Sequence, residues 1–159
     1  MKKSLQQRGY DNLDMAILEA LQRDGRMSVA DLARQIHLSQ PAVHNRIKRL
    51  ERDGVIKDYV ALLDRDEVGY DLICFLQLSL YPHTQEVVAQ VKQFICEQVT
   101  VLECYTVAGR YDMILKVVIE NQRGLNDFVS DLMALDGIER IETAVVLDQV
   151  KHTTALSLE

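Results

Sequence analysis

Residues 28–52, SVADLARQIHLSQPAVHNRIKRLER, restrict what this chain can fold into more than any other stretch. The spacing predicts two short helices separated by a four-residue break. Ser28 with Asp31 three residues on has the spacing of an N-cap and capping box, and Ser39 caps a second helix. Pro41 falls in the first turn of that helix, where a missing N–H costs nothing. Val43, Ile47 and Leu50 repeat at i, i+4, i+7 and turn one stripe toward a core. At 100° per residue, Asn45, Lys48, Arg49 and Arg52 gather on the opposite side. Two capped helices around a tight turn, with a cationic outer face, form the pattern of a helix-turn-helix DNA reader.

A net charge of −6 opposes that reading only until it is divided along the chain. Residues 1–60 carry 11 Lys/Arg against 8 Asp/Glu, and residues 61–159 carry 7 against 16. The head is therefore at +3 and the remainder at −9. Phosphate contact depends on cations at the interface, not on the global balance, so a basic head on an acidic body suits duplex DNA.

Composition removes other classes. No apolar run approaches the ~18 residues that span a bilayer. The N-terminus MKKSLQQRGYDN has no apolar signal core, so a cytoplasmic location is expected and no membrane partner. Cys74, Cys96 and Cys104 are odd in number, with no CxxC pair and no histidine cluster, which argues against zinc or a disulfide framework. Each lies in an apolar stretch and is expected to be a buried small side chain. With no metal-ligand cluster, phosphate loop or nucleophile–base motif, neither a catalytic residue nor a cofactor is expected, and the chain does not read as an enzyme.

The rest of the chain falls into two domains, 1–63 and 64–159. Residues 1–10 are polar and expected to be loosely ordered. A helix is predicted over 11–23, capped by Asp11, with Leu13, Ile17, Leu18 and Leu21 as its apolar stripe and Gly25 at its end. Residues 55–63 are β-prone, a wing or a connecting strand, and 64–71 read as a hinge. Beyond it come a strand over 72–81, a helix over 84–98, strands over 101–108 and 111–119 joined by a tight turn at Gly109 and Arg110, a helix over 123–135 and a strand over 139–150. A short apolar tail at 155–158 closes the chain. The class is α+β: an N-terminal helix-turn-helix, winged-helix-like domain followed by a ferredoxin-like β-α-β-β-α-β sandwich. In the first strand Leu72, Cys74, Leu76, Leu78 and Leu80 share one face and Ile73 and Phe75 the other. A strand apolar on both faces needs covering on both, which points to a homodimer.

Within the second helix of the head, Gln40 and His44 lie at the end that enters a major groove first. Asn45 and Arg49 can reach base edges, Asn preferring adenine and Arg guanine. Arg46, Lys48 and Arg52 suit phosphates, and Ser28 and Ser39 mark helix N-termini whose N–H groups can meet phosphates as well.

A head and body in this order resemble the Lrp/AsnC, or feast/famine, family of transcription factors. The resemblance rests on LEALQRDGRMSVADLARQIHLS (18–39), RIKRLERDGVI (46–56), AGRYDMILKV (108–117) and VVLDQVKHTTALSL (145–158), in that order. It implies a sequence-specific regulator modulated by a small effector, usually an amino acid, with dimers assembling into tetramers or octamers. The effector role it implies falls on Thr106, Gly109, Arg110, Tyr111 and Asp112. Arg110 departs from the family, which often has an acid there. Chemically, Asp112 can accept from a ligand ammonium, and backbone N–H groups or Arg110 can donate to its carboxylate. Against that, Gly109 can simply serve a turn and Asp112 be a solvated charge. Two alternatives stay open: an oligomeric regulator without effector, and a thiol- or metal-responsive repressor.

Overall fold

The computed structural model describes residues 5–158. These divide into two compact units, one built from residues up to Leu62 together with the tail from Lys151, the other from Leu63–Val150. The tail from Lys151 thus packs with the first unit.

Three helices make the first unit: α1 (Asn12–Arg23), α2 (Val29–Gln35) and α3 (Gln40–Arg52). Asp11 caps α1 in a reciprocal capping box, its side chain accepting from the Leu13 and Asp14 N–H groups while Asp14 accepts from the Asp11 N–H. Ser28 and Ser39 cap α2 and α3 as expected. The turn between α2 and α3 places His37 at φ 56°, a left-handed conformation that histidine tolerates better than branched residues. Ile17, Leu32, Val43 and Leu50 are fully enclosed where the helices meet. Each such side chain contributes about 1.5–3 kcal/mol of burial.

Two expectations fail here. Residues 1–4 lie outside the described residues, but the rest of the N-terminal segment is ordered: Gln6–Arg8 form a 3-10 turn and Tyr10 is buried in the core of the head. Residues 55–63 form no strand or wing, because a β-prone segment needs a neighbour to complete its ladder. The tail is also ordered: Leu158 packs on the head core, and the Gln22 side chain bonds both the N–H (2.6 Å) and the C=O (3.1 Å) of Leu156.

The second unit comprises β1 (Leu72–Leu80), α4 (Gln85–Glu97), β2 (Val101–Thr106), β3 (Met113–Ile119), α5 (Gln122–Met133) and β4 (Ile138–Val145). The antiparallel sheet runs β2-β3-β1-β4, the β-α-β-β-α-β order expected. Cys74, Leu76, Leu78 and Leu80 of β1 alternate inward with Met113, Leu115 and Val117 of β3, under Val91 and Ile95 of α4 and Leu125, Phe128 and Leu132 of α5. Gly137 has φ 93°, and a Cβ there would stand 2.1 Å from Val87 Cγ1, so only glycine lets β4 begin against α4. Met133 is exposed at the end of α5. Cys74 is buried, but Cys96 and Cys104 are exposed, since they lie at the last turn of α4 and on an edge strand.

Candidate nucleic-acid interface and effector loop

The outer face of α3 is set by what its inner face buries. With Val43 and Leu50 enclosed, Gln40, His44, Asn45, Lys48 and Arg52 are exposed. The Ser28 hydroxyl accepts from the Asp31 N–H (3.1 Å) and donates to the Asp31 carboxylate (2.6 Å), while Ser39 accepts from the Ala42 N–H (3.4 Å). Their hydroxyls thus hold helix ends in place. His44 and Lys48 also border a shallow cavity of about 300 Å³ with Met27, Val29, Ile47 and Tyr59. Tyr59 donates to Glu51 (3.1 Å), and burial, with that acid second, pushes its hydroxyl up to about 12.

Arg46 and Arg49, expected at a phosphate and at a base edge, are engaged within the head. Arg46 Nη1 lies 2.8 Å from both Asp11 Oδ1 and Asp14 Oδ1, and its Nη2 donates to Asp11 Oδ2 at 2.9 Å. Arg49 Nη2 donates to Asp14 Oδ2 at 2.5 Å, and its guanidinium stands 5.0 Å from the Tyr10 ring centroid. Tyr10 in turn donates to Asp53 (2.9 Å). Both guanidinia are held by carboxylates at the start of α1, because Asp14 is fully buried and needs compensating charge. The Arg46 bonds, first among the causes, hold the Asp11 carboxyl down at about 2. Sequence reasoning missed Tyr10, Asp14 and Asp53. One signal was present: Asp14 stands four and seven residues before Leu18 and Leu21, on the stripe that faces the core.

In the second unit the segment between β2 and β3 is wider than the two-residue turn expected. Residues 107–112 form the loop, closed by the Val107 N–H to the Asp112 carbonyl (3.0 Å), and the Asp112 N–H bonds the Leu78 carbonyl (2.8 Å). Thr106 ends β2 and is exposed, as are Gly109 and Arg110. The Asp112 carboxylate accepts from the Leu80 N–H (2.8 Å) and lies 3.2 Å from His83 Nε2. Arg110 Nη2 approaches Glu142 Oε1 at 3.3 Å, Arg140 Nη2 the same oxygen at 2.5 Å, and the Tyr111 hydroxyl donates to Glu142 Oε2. The Tyr111 bond lowers the Glu142 carboxyl below its ordinary range and raises the Tyr111 hydroxyl. His83, Arg140 and Glu142 carried no sequence signal, since strand pairing alone brings β4 beside β1 and the loop. Among the described residues no group of three or more His, Cys, Asp or Glu side chains is arranged to hold a metal, and no helix is long and apolar enough to cross a membrane.

Comparison with known proteins agrees with both halves. An AsnC-type helix-turn-helix domain matches residues 11–51, and an Lrp/AsnC ligand binding domain matches residues 73–156. The chain is 36% identical over 152 residues to the leucine-responsive regulatory protein of Rhizobium meliloti, covering 93% of this chain and 96% of that one. It is 30% identical to the HTH-type transcriptional regulator FL11 of Pyrococcus furiosus, over 94% of this chain and 97% of the relative. Among solved structures, an AsnC family transcriptional regulator from Agrobacterium tumefaciens superposes with a TM-score of 0.88 at 34% identity, covering 94% of this chain and 97% of that one. A transcriptional regulator from Neisseria meningitidis in complex with L-Met gives 0.90 at 29% identity, with the same coverage. Two matched domains in the same order, with relatives alike over nearly the full length, settle the class: the chain belongs to the Lrp/AsnC family of DNA-binding transcriptional regulators, which are not enzymes.

Proposed function

We propose that the protein is a sequence-specific DNA-binding regulator whose assembly or DNA binding responds to an amino acid. The observation that carries the DNA half is the exposed polar face of α3, where Gln40, His44, Asn45, Lys48 and Arg52 stand clear of the core. Asn45 reads a base edge, Lys48 and Arg52 meet phosphates, and Gln40 and His44 approach the groove first. Arg46 and Arg49 orient the helix rather than touch DNA. The N–H groups opening α2 and α3 at Ser28 and Ser39 add phosphate contacts.

The amino-acid half draws on a solved relative that holds L-Met and on the chemistry of the loop at Thr106–Asp112. Arg110 supplies a donor for a ligand carboxylate, Tyr111 a hydroxyl, and Asp112 keeps lone-pair capacity for an ammonium group. Homodimers are the working unit, assembling to tetramers or octamers in the cytoplasm. One head makes too few phosphate contacts for tight specific binding at physiological salt, and paired heads suit half-sites one helical turn apart. Support for the dimer comes from the second sheet face, where Phe75 and Tyr105 are exposed beside Ile73.

A thermal-shift screen against the twenty amino acids, coupled to gel-shift titration on genomic fragments, tests this reading. A raised Tm with a changed retardation pattern is expected for at least one amino acid. No shift at millimolar ligand would leave a regulator without effector. That second reading is favoured by one observation: Arg110, Tyr111 and Asp112 all have partners within the chain.

A further inference from the structure

Three donors from two segments distant in sequence converge on a single carboxylate. Glu142 Oε1 takes Arg140 Nη2 at 2.5 Å and Arg110 Nη2 at 3.3 Å, and Oε2 takes the Tyr111 hydroxyl. Arg110 is further ordered by its own neighbour, its guanidinium lying 5.3 Å from the Tyr111 ring centroid. Glu142 belongs to the edge strand β4 and pairs with Gln77 of β1, whose other partner is Ile114, just beyond the loop. Two guanidinia and a hydroxyl around one carboxylate make a binding arrangement for carboxylates in general. Its present occupant is held weakly. The Arg110 and Arg140 side chains are 67% and 56% exposed, and ion pairs so open to water contribute little net stability.

We propose that Glu142 is an internal stand-in for the carboxylate of the effector: Arg110, Arg140 and Tyr111 form a carboxylate-binding cluster that the protein fills with its own side chain until an amino acid displaces it. This rests on the amino-acid reading of the loop. It assigns Arg140, Glu142 and the ligand class to a site for which the sequence suggested only residues 106–112. It also gives Arg110 a purpose. An acid at that position would repel both Glu142 and a ligand carboxylate, whereas a cation serves each in turn. Because ligand must compete with Glu142, apparent affinity is reduced by the fraction of protein in which the cluster is filled.

The test uses the full-length protein with Glu142→Gln, which keeps the side-chain shape and an acceptor for Tyr111 but removes the competing charge. Wild type and variant are screened by thermal shift with each of the twenty amino acids, and those that bind are measured by calorimetry beside their methyl esters. The variant is expected to bind an amino acid at least about threefold more tightly than wild type, with no gain for the ester, and Arg110→Gln is expected to lose binding. Binding by the variant of an amino acid that leaves wild type silent would support the stand-in equally. Equal or weaker binding by the variant, or the same gain for the ester, overturns the proposal while leaving the amino-acid reading intact. If neither protein binds any of the twenty, that reading falls and the proposal with it.

Discussion

Arg49 Nη2 stands 2.5 Å from Asp14 Oδ2, and the acid is wholly enclosed while the base is 37% exposed. The α3 helix is thereby bolted to the start of α1 by a charge that cannot be left alone. Asp14→Ala leaves Arg46 with Asp11 but takes the acid from Arg49, and is expected to destabilise the head by about 3 kcal/mol, read from urea unfolding followed by circular dichroism. Arg49→Ala leaves Asp14 with Arg46 alone, and its effect on DNA should follow from the loosened helix. Affinity for operator and scrambled duplex should fall together in a gel-shift titration. A selective change at one base pair would return Arg49 to base reading.

Asn45 and Lys48 separate the two kinds of DNA contact. Asn45→Ala should cost roughly 1–3 kcal/mol of discrimination at one base position and little on non-specific DNA. Lys48→Ala should weaken all sequences alike and flatten the dependence of log K on log salt by about one. Fluorescence anisotropy at several salt concentrations distinguishes them, and matching behaviour from both variants would contradict these roles.

Acid stability should carry the signature of Asp11. Its carboxyl titrates at about 2 in the folded protein, held there first by Arg46, against an ordinary 3.8. A depressed folded value means that the contribution is fully present above the ordinary value and is lost as pH falls from there through about 2. Thermal melts between those limits should show a steeper loss for wild type than for Asp11→Asn. Parallel curves would remove Asp11 from the account.

Gln22 joins the tail to the head by two hydrogen bonds to Leu156. At about 0.5–1.5 kcal/mol net for each, Gln22→Ala should lower stability by about 1–2 kcal/mol. Truncation after Val150 should exceed that, because Leu158 also leaves the core. Hydrogen exchange in α1 offers the direct measurement, and unchanged protection in the truncated chain would show the tail contact to be without consequence.

Gly137→Ala is expected to destabilise the second unit by at least about 1–3 kcal/mol, since it adds strain at positive φ to a collision with Val87. Adding Val87→Ala should recover only part of the loss, because it relieves the collision and not the backbone strain. Full recovery would show that φ is not limiting there.

What could be read from residues alone was whatever depends on short spacing. Caps three residues from their partners, apolar stripes of period 3.6 and the alternation of β1 are local relationships, so the helices of the head and the β-α-β-β-α-β order were legible in the sequence. Regions failed where an outcome depends on a distant partner. Residues 55–63 have β-prone side chains but no strand beside them. The β2–β3 loop is tied to β1 through Asp112, and Cys96 and Cys104 are exposed at the end of a helix and on an edge strand.

The same division runs through both sites. Sequence by itself determined the fold class, the basic head and the polar outer face of α3, because helical periodicity assigns every side chain a direction. Only tertiary structure decided which cations on that helix pair with carboxylates of the head. Asp11 lies 35 residues before its partner Arg46, and Asp14 lies 35 before Arg49. Glu142 likewise meets Arg110 across 32 residues of chain. A buried or shared charge takes its partner from whatever the packing brings near, and periodicity holds no information about that.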